Sequence, residues 1–251
     1  MNSLQAEWDR LYRAAAASAA RAQADGGGLF SEDGSVRALV LELARPADWD
    51  TLAAVWRGVQ ADFGLPAPGI AVSGVDGFQL WFSLAEAVSA RQAQDFLQAL
   101  CQHYLPTVAA TRLRLWPAPD GRQPEHAAPV PCPIGDSGHW SAFVAPDLAA
   151  IFSDEPWLDV SPSTEAQASV LARLHPIKPA AFAAACSRLR PAALALAVQH
   201  PAATAAAPAG AAAPSGDLDP RRFLQDVLND PGVALDLRIA AAQALLAGRS
   251  G

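Results

Sequence analysis

The chain has 251 residues, of which 51% are hydrophobic and 17% are charged, and its formal net charge is −7. This length and apolar content allow a sizeable core in one large domain with appendages. The acidic balance argues against a dedicated duplex-DNA binder, because such a protein needs clustered Lys and Arg to displace counterions.

The metal-ligating residue types are scattered along the chain. Cys101, Cys132 and Cys186 are far apart and show no CxxC spacing, so neither a zinc site nor a disulfide framework is predicted. The histidines also lack ligand spacing, and we expect neither a metal nor a cofactor. There is no secretory pattern at the N-terminus and no apolar run of about 18 residues. These features indicate a cytoplasmic protein that does not enter a membrane.

The N-terminal segment predicts a helix over residues 4–24, because apolar side chains recur there at helical spacing and alanines fill most other positions. Three consecutive glycines at 26–28 end this helix. Residues 1–35 are therefore predicted to form an N-terminal helix and a glycine-rich loop.

The most regular part of the chain follows and predicts an α+β fold. In chain order its elements are a strand at 36–44, a helix closed by Gly64, a hairpin at 70–84, a helix opened by Ser89 and a strand at 111–116. This order, strand–helix–strand–strand–helix–strand, is the split βαβ arrangement of ferredoxin-like sheets, which RNA-recognition modules share.

The two faces of this sheet are predicted to differ. The right-handed crossover rule places the first and third strands side by side in the middle, with the fourth strand beside the first. Helices then cover only one face, toward which the strand leucines and phenylalanines should point. The opposite face is expected to be open and to carry a polar and aromatic set. This set comprises Glu42, Gln79, Trp81, Ser83, Arg112, Arg114 and Trp116.

Beyond the sheet, residues 117–138 are rich in Pro, Gly and polar residues and predict a loop. Further short elements complete an α+β body that we place at 36–200. An Ala/Pro linker follows at 201–216, and a short helical tail at 217–251. The apolar face of this tail needs a cover, either on the body or on a protein partner that docks through residues 217–249.

Residues 73–81, SGVDGFQLW, resemble the signature of the archaeo-eukaryotic primase superfamily, the primase-polymerases. In that family an acidic strand and a helix precede a hairpin that carries S-G-x-G-x-H, a hydrophobic residue and an aromatic residue. The later segments "RLWPAP" and "APVPCPIGDSGHWSAFVAPDLAAIF" resemble its Pro-rich downstream parts. The resemblance covers roughly residues 36–160 and implies a palm-like sheet built for nucleotidyl transfer.

The chain departs from that family at the positions that hold its metal ions. Glu42 is a lone remnant of the D-x-D pair on the first strand, and Gln79 replaces the histidine that contacts the nucleotide phosphates. Arg112 and Arg114 stand where a third carboxylate is expected, and arginines favour a phosphate or a carboxylate over a metal ion. The resemblance therefore implies a degenerate palm that holds no metal and does not polymerise nucleotides.

A first hypothesis follows, in which the protein binds nucleotide or single-stranded nucleic acid without catalysis, in replication or in a mobile element. The aromatic side chains would stack bases, as they do in other open sheets that bind single strands. Phosphate contacts are then assigned to Ser73, Gly74, Gly77, Gln79, Arg112 and Arg114, and stacking to Trp81 and Trp116.

The same residues also allow structural interpretations. Any tight turn favours the residue types of 73–77, the two tryptophans fit under a covering element, and Glu42 fits an ion pair with one of the two arginines. A second hypothesis is therefore a non-catalytic protein-protein interaction module with no nucleic-acid role, which would use the tail or residues 153–159. A third, an active phosphoryl-transfer enzyme, needs further carboxylates such as Asp120 or Asp136.

Overall fold

The computed structural model divides the chain into two units, Met1–Pro201 and Ala202–Gly251. The described residues are 3–14, 28–118 and 125–198. The second unit lies outside them, and so do the predicted Ala/Pro linker and helical tail. No helix within the described residues is long and apolar enough to cross a membrane.

The described residues of the first unit form an α+β fold with one five-stranded sheet. The strands are β1 Ser35–Ala44, β2 Gly69–Val72, β3 Gly77–Ser89, β4 Leu113–Trp116 and β5 Ala142–Val144. The helices are α1 Ser3–Leu11, α2 Trp49–Phe63, α3 Ala90–Tyr104, α4 Thr164–Leu171 and α5 Pro179–Val198. Short 3₁₀ helices occupy Ala110–Arg112 and Ala149–Phe152.

The strand order is β4-β1-β3-β2-β5, and every neighbouring pair is antiparallel. β1 thus lies between β3 and β4, and β5 extends the sheet beyond β2. The outer edge of β5 is capped by the Gln167 side chain, whose amide accepts from Phe143 N at 2.8 Å and donates to Phe143 O at 2.9 Å. This cap satisfies backbone groups that an edge strand would otherwise leave unpaired.

The helix ends follow local sequence rules. The Asp48 carboxylate accepts a hydrogen bond from Thr51 N at 2.9 Å at the start of α2, and Gly64 ends that helix with φ of 63°. Ser89 and Gln92 form the predicted capping box of α3.

The first face of the sheet holds the larger core, as predicted. Side chains of α2, α3 and α5 pack there against alternate residues of the strands. The strand residues in this cluster include Leu39, Leu41, Leu43, Phe78, Leu80 and Phe82, all buried.

The prediction that the second face is open is wrong, because α1, α4 and residues 126–130 cover it. These segments and the strands form a second buried cluster. Its members are Trp8, Leu11, Tyr12, Leu29, Ala38, Val40, Ala71, Trp81, Ala127, Val130, Phe143 and Leu171. Several of these strand residues are large and apolar, so an uncovered face would expose a wide apolar patch to water.

The N-terminal helix packs on the sheet, but it ends at Leu11, since residues 12–14 are not helical. The rest of the helix predicted over 4–24 and most of the glycine-rich loop lie outside the described residues. The Ser83 hydroxyl donates to Leu11 O at 2.6 Å. The Arg37 guanidinium donates to Arg13 O at 3.1 Å and to Arg10 O at 3.0 Å. These bonds satisfy carbonyls at the helix C-terminus and hold α1 against β1 and β3.

Candidate functional site

The register of the three central strands brings the predicted site residues together. Glu42 on β1 lies opposite Gln79 on β3 and opposite Arg114 on β4. Trp81 Nε1 donates to Gln79 Oε1 at 2.9 Å, and Gln79 Nε2 donates to Glu42 Oε2 at 2.7 Å. Arg114 Nη1 donates to Glu42 Oε1 at 2.9 Å. We call these four hydrogen-bonded side chains the polar chain.

Most of the polar chain is inside the protein. Glu42 is 2% exposed, Gln79 is 6% exposed and Trp81 is fully buried, whereas the Arg114 side chain is 42% exposed. Burial raises the pKa of the Glu42 carboxyl above its ordinary value, and the hydrogen bonds from Gln79 and Arg114 oppose that rise. Both carboxylate oxygens therefore have a protein donor, and the ion pair predicted for this acid forms with Arg114.

Gln79 and Trp81, predicted for phosphate contact and stacking, are both buried. The indole of Trp81 contacts Trp8, Tyr12 and Phe143 at ring-centroid distances of 5.3, 5.3 and 5.9 Å. Its single N–H is already bonded within the polar chain. In this arrangement Trp81 has no free ring face on which a base could stack, and both amide atoms of the 6% exposed Gln79 are hydrogen-bonded within the polar chain.

The turn of residues 73–77 is explained by its own hydrogen bonds. The Ser73 hydroxyl accepts from the backbone N–H groups of Val75, Asp76 and Gly77 at 3.2, 3.1 and 3.0 Å. A serine that organises successive N–H groups in this way is a turn residue. Ser73 needs no ligand to explain its presence.

The two glycines of the turn are also required by local geometry. Gly74 has φ of +83°, and a Cβ there would lie 2.4 Å from the Ile134 side chain. Its N–H donates to Pro156 O at 2.9 Å. A Cβ on Gly77 would lie 2.8 Å from Ala44 Cβ, so this position allows the close approach of β1.

The remaining predicted residues lie on or beside the edge strand β4. Arg112 donates to Ala44 O at 3.2 Å and to Pro46 O at 2.8 Å, so it fixes the end of β1. Trp116 lies opposite Val40 and packs, partly buried, against the second cluster. Of the predicted set, Arg114 and Trp116 thus keep exposed surface beside the polar chain.

Carboxylates are sparse around Glu42. Asp76 is the second acid whose charge acts on it, and the Asp76 Oδ1 atom is buried without a hydrogen-bond partner. Asp136 is exposed, and Asp120 lies outside the described residues. Within the described ranges no group of three or more His, Cys, Asp or Glu side chains is placed to hold a metal ion.

A groove that the sequence did not predict lies between the end of β3, α3 and the first half of α5. It encloses about 620 Å³, and no residue of the predicted site lines it. Its wall includes Phe96 and Phe182, with Glu86 and Asp95 among the polar residues. No sequence signal could have shown it, because its walls come from segments about 90 residues apart.

No protein-family model matches the chain, and no curated protein matches it. The resemblance of residues 36–160 to primase-polymerases therefore stays a prediction from the sequence.

Proposed function

We propose that this chain is a catalytically degenerate, primase-polymerase-like protein whose former nucleotide site has become core, and that it acts as a non-catalytic protein-protein interaction module. The polar chain carries this proposal. Glu42, Gln79 and Trp81 stand at the positions that the resemblance assigns to a nucleotide site, yet they are buried and hydrogen-bonded to one another.

The fold supports the family part of the proposal. The order β4-β1-β3-β2, with antiparallel neighbours, favours a ferredoxin-like palm that β5 extends at one edge. The signature hairpin forms β2 and β3, and the remnant acid Glu42 lies beside the signature position Gln79. A palm-like sheet with one acid at its centre fits a nucleotidyltransferase ancestor that lost its metal ligands.

The cover over the second face supports the non-catalytic part. A base could stack on Trp81 only if α1 moved and exposed Trp8, Leu11 and Tyr12, all of which are buried. Each large apolar side chain taken from the core to water costs roughly 1.5–3 kcal/mol. A ligand would have to offset that cost and also replace the hydrogen bonds of the polar chain.

A second candidate function is binding of nucleotide or single-stranded nucleic acid at the edge of the sheet. The partial exposure of Arg114 and Trp116 on β4 favours it, since a guanidinium beside an indole can contact a phosphate and a base. The bond from Arg114 to Glu42 weighs against it, because part of the guanidinium is already committed to a carboxylate.

The test is a titration of the full chain with nucleoside triphosphates and with short single-stranded oligonucleotides, with and without Mn²⁺, at two salt concentrations. Arg114→Ala is compared with Arg91→Ala, which removes the same charge from an exposed pair on α3. We expect no saturable binding. Salt-sensitive binding that Arg114→Ala weakens and Arg91→Ala does not would overturn the proposal and support the second candidate function. Mn²⁺-dependent binding would overturn the proposal and support an active enzyme.

A further inference from the structure

The negative charge of this protein is concentrated in one stretch of the chain. Residues 125–172 contain seven Asp and Glu residues and no Lys or Arg, so this stretch accounts for the whole formal net charge of −7. All seven acidic residues are exposed. The rest of the chain has equal numbers of acidic and basic residues.

Large apolar side chains are exposed in the same region. Among the described residues the exposed large hydrophobic residues are Ile151 at 72%, Val160 at 71%, Val75 at 53% and Leu148 at 47%. All but Val75 belong to the acidic stretch. The hydrogen bond from Gly74 N to Pro156 O places the turn that carries Val75 against that stretch. Apolar side chains grouped on a surface mark an interaction site more often than single ones do.

Backbone pairing fixes the shape of this region. Trp140 and Leu158 exchange backbone hydrogen bonds of 2.8 and 3.0 Å. The His139 ring stacks on Trp157 at 4.6 Å with an interplanar angle of 7°, and His139 Nε2 lies 3.9 Å from Asp159 Oδ1. The acids next to Trp157 are therefore presented from an ordered segment, which lowers the entropy cost of binding a partner.

We infer that Val75, Ile151 and Val160, together with Asp154, Glu155 and Asp159, form a docking surface for a basic protein segment with large apolar side chains beside its Lys or Arg residues. This acidic docking surface rests on the proposed function and names the kind of partner. Charge selects that partner, because nucleic acid, an anionic membrane and a second copy of this chain are all negative and would be repelled.

The experiment is a selection of displayed peptides of about 12 residues on the full chain, followed by affinity measurements on the enriched peptides made synthetically. One variant carries Asp154→Asn, Glu155→Gln and Asp159→Asn. Its control carries Asp50→Asn, Glu86→Gln and Asp95→Asn, which remove three exposed charges elsewhere. A third variant carries Ile151→Ser and Val160→Ser, both at positions so exposed that the fold should persist.

We expect enriched peptides that combine Lys or Arg with large apolar residues. The first variant should weaken their binding about tenfold and the Ser variant about fivefold, while the control changes it by less than about twofold. Neutral or acidic peptides, equal losses in both charge variants, or no enrichment would overturn the acidic docking surface. The proposed function fails separately, by nucleotide or oligonucleotide binding in the titration above.

Discussion

Glu42 is a buried carboxylate at the position where the family resemblance expects a metal ligand. A lone acid there cannot neutralise two metal ions, and burial without partners would be costly. Gln79 and Arg114 solve the second problem by each donating to one carboxylate oxygen. Gln79 and Arg114 both depart from the pattern of the resembled family, and both hold Glu42 in place by hydrogen bonds.

Breaking the pair from the arginine side should destabilise the protein. Arg114→Met leaves a carboxylate of 2% exposure without its charged donor, and we expect a loss of about 1–3 kcal/mol in unfolding free energy. In a Glu42→Gln background the same change should cost less than about 0.5 kcal/mol, because no charge is left unpaired. Urea unfolding of the four proteins measures both values, and equal costs in the two backgrounds would contradict the pairing.

The raised pKa of Glu42 predicts a specific pH dependence. The folded protein takes up this proton at a higher pH than the unfolded chain, so ionisation of Glu42 lowers stability as pH rises from the ordinary value of 4.5 through the raised pKa. The unfolding free energy of the wild type minus that of Glu42→Gln should decrease with pH between 4.5 and the raised pKa, and it should stay constant at higher pH. A difference that increases with pH would mean that the bond to Arg114 outweighs burial.

The glycine at the tip of the signature turn tests the structural interpretation of that turn. Gly74 and Gly34 have similar φ angles, +83° and +78°, but a Cβ meets Ile134 at the first and nothing within 4 Å at the second. Gly34→Ala should cost about 1 kcal/mol from backbone strain alone, and Gly74→Ala about 2–4 kcal/mol. Equal costs in thermal unfolding would show that packing does not fix this position.

At the scale of elements, α1 helps to cover the second face of the sheet, so that both faces carry a buried core. Its apolar residues Trp8 and Leu11, with Tyr12 directly after the helix, belong to the same buried cluster as Trp81 and Phe143, and α4 packs beside it. The helix is nine residues long, too short to be stable alone in water, so burial of these apolar residues is what keeps it formed.

Removing the largest side chain of α1 measures this contribution. Trp8→Ala should lower the unfolding free energy by about 3–5 kcal/mol, because the indole is 6% exposed and contacts three other rings. Trp157→Ala is the matched control, since that indole is only partly buried, and it should cost less than about 1.5 kcal/mol. Similar costs for the two variants would mean that α1 is a loosely held cover.

Local sequence patterns predicted the positions of strands and helices better than they predicted which faces of the sheet are covered. Alternation in "VRALVLELA" and "GFQLWFSL" indicated the buried first face, and the Ser89 capping box located the start of α3. Alternation cannot tell a solvated second face from a covered one, because the cover comes from segments about 150 residues apart. The helical spacing of apolar residues in α1 predicts that this helix needs a partner surface, but it does not identify Trp81 as part of that surface.

At the scale of the whole molecule, the polar chain and the acidic docking surface lie in different parts of the sheet domain. The polar chain is inside the sheet domain, while the charge imbalance and the exposed apolar side chains belong to residues 125–172 and the neighbouring turn. Composition gave the net charge but not its concentration in one stretch. An acidic, partly apolar surface fits the basic protein partner that we propose.

Hydroxyl-radical footprinting of individual tryptophans, read by mass spectrometry with and without nucleoside triphosphate and Mn²⁺, tests the covered face directly. The fully buried Trp81 should be oxidised at least about tenfold more slowly than the partly exposed Trp157, and the ligand should change neither rate. Comparable oxidation of the two indoles, with protection of Trp81 when nucleotide is added, would contradict a covered second face. It would indicate that this face binds nucleotide.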